Sequence, residues 1–378
     1  MDFSFNEEQS LLRNAVAGYL RDRYDFDARR EAIASESGWR PGIWKAFAEE
    51  LGILGAAIPE ELGGLGGGPI DNMILMEEFG RALVVEPYLE TAVIGAGLLK
   101  RLGGEETIEQ ILTGEAVLAF AHAEPRDGYD PARIATTARR EGGGWVLDGH
   151  KAVVAGAPWA NWLLVTARTS GSPGEAEGVS LFLVDKTAPG LSTQDYPTVD
   201  GRRASEVRFE GVRLPGEALL GEEGRSLPLI EQVLDEATAA LCAEALGVMR
   251  GLHEATLDYA RQRRQFGKPI ADFQVLQHRM VDMFMALEQS VSMTYMATLK
   301  LDAPAEERAK AVSAAKVQVG QACRFVGQNA VQIHGGIGMT DELALSHYFK
   351  RATMIEGQFG SVDHHLRRYQ RLSLGRAA

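Results

Sequence analysis

The chain has 378 residues, 45% of them hydrophobic, which is enough for two or three domains with substantial apolar cores. Its formal net charge of −13 argues against a surface for nucleic acid or for an anionic membrane. Cys242 and Cys323 lie far apart within helical patterns, which indicates buried thiols rather than a disulfide or a metal site. The acidic start lacks the basic region of a signal peptide, and no run of about 18 apolar residues occurs, so we expect a cytoplasmic protein without a membrane span.

Residues 1–115 have the apolar spacing of helices. Asn6, followed by two glutamates and Gln9, is typical of a capped helix start, and apolar residues recur at helical spacing from Leu11 onward. The glycine-rich run 63–69 predicts a loop. Such a loop can bind phosphate, but this one follows no predicted strand and lacks the Gly-x-Gly-x-x-Gly spacing, so we interpret it as a structural turn.

The period of the pattern then changes twice. Short apolar runs bounded by Gly, Pro and Asp turns, such as 145–149 and 179–185, predict a compact β domain. Helical spacing returns near residue 229 and continues to the end of the sequence, which predicts a helical bundle. The predicted fold is an N-terminal all-α domain (1–115), a central β-barrel or sandwich domain (116–228) and a C-terminal four-helix bundle domain (229–378).

A basic cluster lies at the end of the first long helix of this bundle, in the stretch 259–274. It contains Arg261, Arg263, Arg264 and, beyond a Phe-Gly pair, Lys268. We expect the Gly-Lys-Pro sequence to end the helix, because proline cannot continue one. The cluster is compatible with a solvated helix end that complements the helix dipole, and also with a grip on a phosphate-bearing ligand.

Three stretches resemble signatures of the acyl-CoA dehydrogenase family. Arg263, Phe266-Gly267 and Gln274 match one signature, residues 332–336 (Gln-Ile-His-Gly-Gly) a second, and residues 58–64 a third. The likeness holds in order and spacing over nearly the whole chain. It implies the acyl-CoA dehydrogenase fold, FAD as the cofactor, an acyl-CoA thioester as the substrate and an electron-transfer flavoprotein as the electron acceptor.

In the family, certain residues contact the flavin of the neighbouring subunit at its pyrophosphate and adenosine end. The residues that match them here are Arg263, Phe266, Gln274, Gln332, Gly335 and Gly336. Arginine can pair with phosphate through two hydrogen bonds, and glycine lets backbone N–H groups approach closely. The resemblance therefore implies that this chain presents an intact cofactor half-site to another subunit.

The catalytic base of the family is missing. The resemblance places its usual glutamate at Phe359, followed by a retained Gly360, and places its alternative position at Ala237. We therefore assign no catalytic residue. Nearby carboxylates could serve as a relocated base, and the candidates are Glu236, Glu244 and Glu356.

The residues that the family uses around its own flavin ring are also replaced. Ala123 stands where a threonine precedes Glu-Pro, Val153 where a tryptophan packs on the ring, and Ala155 where a second threonine lies. Tyr129 replaces the serine of a Gly-Ser-Asp loop that meets the acyl-CoA. The resemblance implies that the half-site facing this chain's own cavity is lost.

These losses favour one hypothesis and leave two alternatives open. The first is a non-catalytic partner subunit of an α2β2 acyl-CoA dehydrogenase, a pattern of heterotetrameric members that act on steroid-derived and dicarboxylyl-CoA thioesters. Several segments look most like the small subunits of pimeloyl-CoA dehydrogenases. The alternatives are a self-sufficient homotetramer with a relocated glutamate, and an acyl-CoA-binding or scaffold protein without redox chemistry.

A pair of adjacent histidines near the C-terminus, His364 and His365, carries no metal prediction. Adjacent side chains diverge on a helix and no third ligand is near in the sequence, so we expect no metal site.

Overall fold

A computed structural model of the protein describes residues 5–374. Its first part is helical, as the apolar spacing predicted. The elements are α1 (Glu7–Arg23), α2 (Phe26–Ala34), α3 (Pro41–Glu49), α4 (Pro69–Ala82), a π-helical segment (Leu89–Gly95), α5 (Ala96–Leu102) and α6 (Glu105–Leu112). The predicted start of α1 is confirmed, because the side chains of Asn6 and Gln9 each accept a hydrogen bond from the other's backbone N–H.

A mixed β-sheet forms the middle part. Its strands are β1 (Leu118–Ala121), β2 (Thr137–Glu141), β3 (Gly144–Ala155), β4 (Trp162–Arg168), β5 (Val179–Asp185), β6 (Leu191–Pro197), β7 (Arg203–Leu214) and β8 (Leu219–Leu220). They pair in the order β6-β7-β3-β2-β4-β5-β8, with β1 parallel to β4. Trp145 and Phe182 anchor its core edge to face. The pairing of β3 with β7 shifts register between Lys151 and Val154, so β3 departs from regular strand geometry there.

The C-terminal part is helical again. Its elements are α7 (Leu227–Gln262), a hairpin of β9 (Arg264–Gln265) and β10 (Lys268–Pro269), α8 (Gln274–Leu299), α9 (Ala305–His334), α10 (Ala344–Gly357) and α11 (Val362–Leu374). The chain therefore has the helical, β and helical parts of the predicted fold. Cys242 and Cys323 are buried and free, as their spacing indicated.

The contacts group the chain into two compact units. The helical unit holds the described residues up to Glu31, the segment Pro69–Val84 and the residues from Thr238 onward. The β-containing unit holds Ala32–Gly68 and Val85–Ala237. The domain limits that the sequence suggested, after residues 115 and 228, stay predictions.

Within the helical unit, α4 and α7 touch backbone to backbone. A Cβ added to Gly80 would lie 2.0 Å from the carbonyl oxygen of Glu244, and one added to Gly247 would lie 2.0 Å from that of Glu77. Only a residue without a Cβ allows this approach, so both glycines set the distance between the two helices.

Candidate functional site

The stretch 259–274 forms the end of α7, a tight hairpin and the start of α8. The expectation that α7 runs to the Gly-Lys-Pro turn was wrong, because the helix ends at Gln262. Lys268 pairs with Gln265 in the hairpin, and this pairing uses backbone groups that a continuing helix would need. Phe266 lies at the tip, with a φ of +52° and 92% of its surface exposed. Its ring is therefore available to another molecule.

The basic side chains of this stretch differ in whether they already have hydrogen-bond or ion-pair partners. Arg261 lies 3.4 Å from a carboxylate one turn earlier, and Arg264 donates to the carbonyl of the hairpin glycine at 3.2 Å. Lys268 donates to a carbonyl just before α8 at 3.3 Å. Arg263 is exposed, and within residues 5–374 its guanidinium has no hydrogen bond or ion pair. It is the arginine that the family resemblance assigns to the cofactor phosphates.

The second signature, residues 332–336, ends α9. Gly335 adopts a φ of +66° and its N–H donates to the carbonyl of Val331, which closes the helix. Among the described atoms, none lies within 4 Å of the place where a Cβ on Gly335 or Gly336 would stand. The backbone of this turn is open on the side where phosphate oxygens could approach, and Gln332 beside it is exposed.

A contact that the sequence analysis did not foresee joins these two signatures. The ring of Tyr259 stacks on that of His334, with the centres 4.2 Å apart and the planes inclined by 23°. The Tyr259 hydroxyl donates to the carbonyl oxygen of His334 at 3.4 Å. Since His334 directly precedes Gly335, the contact places the hairpin beside the glycine turn. Both residue types were visible in the sequence, but their separation along the chain gives no signal that they meet.

The loop that carries Phe359 is held through its backbone. Lys316 is fully buried and donates to the carbonyls of Ile355, Glu356 and Gly360 at 2.8–2.9 Å. Burial lowers the pKa of this lysine. Phe359 has a φ of +57°, a region that non-glycine residues rarely occupy. A lysine within the apolar stripe of α9 was the sequence signal for this contact.

The candidate carboxylates are each paired. Glu244 and Arg351 share two hydrogen bonds of 2.7 Å, with side chains only 1% and 5% exposed. Glu236 accepts from Arg101 at 2.7 and 3.1 Å. Glu356 lies 3.4 Å from an exposed arginine of α9 and accepts a backbone N–H of α11. A general base needs an available lone pair, and Glu244 is least suited to that role because its two-bond pair is also the most deeply buried.

In the β-containing unit, Glu124 of the Ala123-Glu124-Pro125 segment forms an ion pair with Lys151. Lys151 Nζ lies 2.7 Å from Glu124 Oε1 and 3.0 Å from Thr166 Oγ1. Burial lowers the pKa of Lys151 to about 8. Burial also opposes ionisation of Glu124, but the charge of Lys151 and its hydrogen bond outweigh this, so the pKa of the carboxyl is lowered. Glu124 therefore anchors this segment to β3, whereas Ala123 has no side-chain hydrogen-bonding group.

Two exposed residues of the same unit have unusual backbone geometry. Val153 has a φ of +52° and Tyr129 a φ of +66°, and they are 58% and 47% exposed. The Val153 N–H donates to Glu206 Oε1 at 3.3 Å, which helps to hold the strained position. A β-branched residue at positive φ is an outlier, and such strain collects at functional sites. The family resemblance assigns both positions to side chains that contact the cofactor or the acyl-CoA.

Two negative findings concern residues 5–374 alone. No helix there is long and apolar enough to cross a membrane, and no group of three or more His, Cys, Asp or Glu side chains could hold a metal ion.

Comparison with known proteins matches every part of the chain to one family. The description "Acyl-CoA dehydrogenase, N-terminal domain" matches residues 6–116, "middle domain" residues 119–212 and "C-terminal domain" residues 225–372. The caffeyl-CoA reductase-Etf complex subunit CarC of Acetobacterium woodii is 31% identical over 92% of this chain and 93% of its own.

Two solved structures are similar over nearly their full lengths. A variant of the Tcur3481-Tcur3483 steroid ACAD has a TM-score of 0.88 at 30% identity, covering 98% of this chain and 99% of the other. The ChsE4-ChsE5 complex from Mycobacterium tuberculosis has a TM-score of 0.90 at 26% identity, covering 100% of both chains.

Proposed function

Because the chain belongs to the acyl-CoA dehydrogenase family of oxidoreductases, we propose that it is the partner subunit of a heterotetrameric acyl-CoA dehydrogenase. In this proposal it completes the FAD site of a catalytic subunit of the same fold and performs no chemistry in its own cavity. The assembled enzyme dehydrogenates an acyl-CoA thioester between its α and β carbons and passes electrons to an electron-transfer flavoprotein. The observation that carries the proposal is the contrast between an open half-site at Arg263 and Gly335-Gly336 and a phenylalanine, Phe359, at the position that the resemblance assigns to the base.

The outward half-site fits the phosphate end of FAD, the cofactor of the family. Arg263 is uncommitted within the described part of the chain, and Gly335 and Gly336 expose their backbone. A guanidinium is a donor that a pyrophosphate needs, and the lack of side chains lets phosphate oxygens approach the turn, where the Gly335 N–H itself is already bonded to Val331. The exposed ring of Phe266 adds an aromatic surface beside them.

The residues that the family resemblance assigns to the redox end of FAD do not fit it in either unit. Ala123, Val153 and Ala155 offer no side-chain donor or aromatic face where the family has threonines and a tryptophan. Phe359 supplies no carboxylate, and Glu244 is neutralised by Arg351. The self-sufficient homotetramer is therefore the weaker candidate, since its relocated base would have to leave an existing partner first.

An apolar helix face supports a partner subunit. Helix α8 buries Met280, Met283 and Leu287 on one side. Its outer side carries Val281, Phe284, Met285 and Leu299, which are 48–54% exposed. A helix that is apolar on both sides is typical of one that is covered on both sides in an assembly. Two of the similar proteins are described by their names as a complex or as a subunit of one.

The proposal is tested by purifying the chain alone and together with a same-fold subunit that carries the family's glutamate base, which is to be sought in the adjacent reading frames. We expect the chain alone to retain little FAD and to give no turnover with acyl-CoA thioesters, and the pair to carry FAD in half-stoichiometric amount. Arg263→Gln should release FAD from the pair. Arg371→Gln, which changes another exposed arginine without a partner in the described residues, is the matched control.

Stoichiometric flavin and turnover in the chain alone would overturn the proposal in favour of the homotetramer. A chain that binds an acyl-CoA but no flavin in either preparation would favour the scaffold alternative.

A further inference from the structure

We infer that Tyr259 is a positioning residue that locks Arg263 and the Gly335-Gly336 turn into a single phosphate-binding unit. The inference rests on the proposed function and adds a residue to it. Tyr259 is not among the signature residues that the resemblance assigns to the cofactor. Its role is inferred from the contacts that it makes inside the helical unit.

The first link runs from Tyr259 to Arg263 through the backbone. The N–H of Arg263 donates to the carbonyl of Tyr259 at 2.8 Å, and the carbonyl of Arg263 accepts the N–H of Ile270 at 2.8 Å. The backbone of Arg263 is thus fixed on one side by the last turn of α7 and on the other by the return of the hairpin. The side chain is not held in this way, because the guanidinium has no hydrogen bond or ion pair in the part of the chain that is described.

The second link runs from Tyr259 to the glycine turn. Ring stacking at 4.2 Å and the hydroxyl bond at 3.4 Å both end on His334, the residue before Gly335. His334 is itself fixed, since its Nδ1 lies 2.8 Å from the carbonyl of Ala330, so this nitrogen carries the proton. Stacked aromatic rings have a defined offset and tilt, so the stack fixes the position of Tyr259 relative to His334 as well as stabilising their contact.

These links have a chemical consequence. The hairpin and the turn lie at the ends of different helices, α7 and α9, and in the inferred unit a diphosphate contacts both. Donors that are held in place before the ligand arrives bind it more tightly than donors that must be ordered on binding. Without the tyrosine ring, the two sets of donors could still exist, but they would no longer be held at one spacing.

The test uses the flavin-free pair of this chain with its catalytic partner, and adenosine diphosphate as the probe for the phosphate and adenosine end of the cofactor. Binding is measured by calorimetry at several salt concentrations, with thermal unfolding recorded for every variant. We expect Tyr259→Leu to weaken binding roughly tenfold, the upper range for an aromatic pair. Tyr259→Phe keeps the stack and should restore most of the affinity. Tyr369→Leu changes a half-exposed tyrosine on α11 and should leave binding unchanged.

A double-mutant cycle separates positioning from general stabilisation. If Tyr259 acts through Arg263, then Tyr259→Leu and Arg263→Gln each flatten the salt dependence of binding, and the double variant is hardly weaker than Arg263→Gln. Additive losses with an unchanged salt dependence would show a merely structural tyrosine and overturn the inference while leaving the proposed function intact. No saturable binding to the wild-type pair, or no effect of Arg263→Gln, would instead overturn the outward half-site itself.

Discussion

Glu244 and Arg351 form a two-point ion pair within the helical unit, with both hydrogen bonds at 2.7 Å and neither side chain more than 5% exposed. The pair connects α7 to α10, the helix that leads into the Phe359 loop. Both carboxylate oxygens of Glu244 accept a hydrogen bond from Arg351. Glu244 therefore contributes structure to the helical unit instead of proton transfer.

We expect Glu244→Ala to destabilise the protein by about 3–5 kcal/mol, because it leaves the guanidinium of Arg351 buried without its counter-charge. The double variant Glu244→Leu with Arg351→Met removes both charges and should recover much of that loss. Urea unfolding followed by circular dichroism measures both. A Glu244→Ala protein as stable as the wild type, or one that loses a turnover present in the wild-type chain alone, would contradict this assignment.

Replacement of Val153 by glycine should raise stability. The side chain is 58% exposed, so little apolar burial is lost, whereas the φ of +52° costs a β-branched residue about 1–2 kcal/mol. The greater freedom of glycine in the unfolded chain offsets about half of that gain. The free energy of unfolding should therefore rise by roughly 0.5–1 kcal/mol.

Val153→Ala is the matched control for this variant, because it removes the same methyl groups but keeps the cost of positive φ. The midpoint of thermal unfolding should rank the glycine variant above the alanine variant. The reverse order would mean that the local backbone is not strained.

The stability of the protein should fall as the pH falls below about 6.5, and His365 should account for part of that fall. Burial, followed by the nearby charge of Lys316, lowers the pKa of His365 to about 3. The folded state therefore binds this proton less readily than the unfolded state, in which the pKa is about 6.5. Stability that is present above pH 6.5 is lost between that value and about 3, which amounts to about 2 kcal/mol at pH 5.

Urea midpoints at pH 7.5 and pH 5 measure this effect. His365→Asn loses the bond to the Phe359 carbonyl, which is 3.1 Å long, so it should be less stable at pH 7.5. Its midpoint should also change less between the two pH values than that of the wild type, because asparagine does not titrate. An equal change in both proteins would be the result that rules out His365 as a contributor.

The glycine crossing of α4 and α7 should be intolerant of a methyl group. Gly247→Ala would place a Cβ 2.0 Å from the carbonyl oxygen of Glu77, and we expect a loss of at least about 2 kcal/mol. Gly42→Ala in α3 meets no described atom within 4 Å and should be neutral or raise stability by about 0.5–1 kcal/mol. Thermal unfolding of the two variants measures the contrast, and equal midpoints would show that α7 can shift to admit the methyl group.

The order of helical and β parts could be predicted from sequence because each part repeats its apolar residues at its own period over many residues. The start of α1 was predictable to the residue, since the Asn6 and Gln9 cap is purely local. The end of α7 could not be predicted to the residue, because it depends on the hairpin that follows. Glycine and proline in the sequence do not distinguish such a hairpin from a single turn.

The site was only partly predictable. Family likeness placed Arg263 and Gly335 in a candidate site, but it could not show that, within residues 5–374, the guanidinium of Arg263 has no partner whereas Arg261, Arg264 and Lys268 each have one. That finding depends on the partners of the other side chains. Three other contacts of the site join residues that are distant in the sequence. They are the stack of Tyr259 on His334, the hydrogen bonds of Lys316 to the Phe359 loop and the ion pair of Glu244 with Arg351. Positive φ at Val153 and Phe359 has no sequence signal, because it appears at residue types that normally avoid it.

The helical unit is assembled from separate stretches of the chain, whereas Val85–Ala237 of the β-containing unit is continuous. During synthesis, the ribosome therefore releases α1 and α4 well before α7, the helix whose backbone α4 must touch at Gly247. The continuous part can fold on the nascent chain, while the early helices keep apolar surface exposed until the last third of the protein emerges. Protection of the nascent chain by chaperones matters most in that interval.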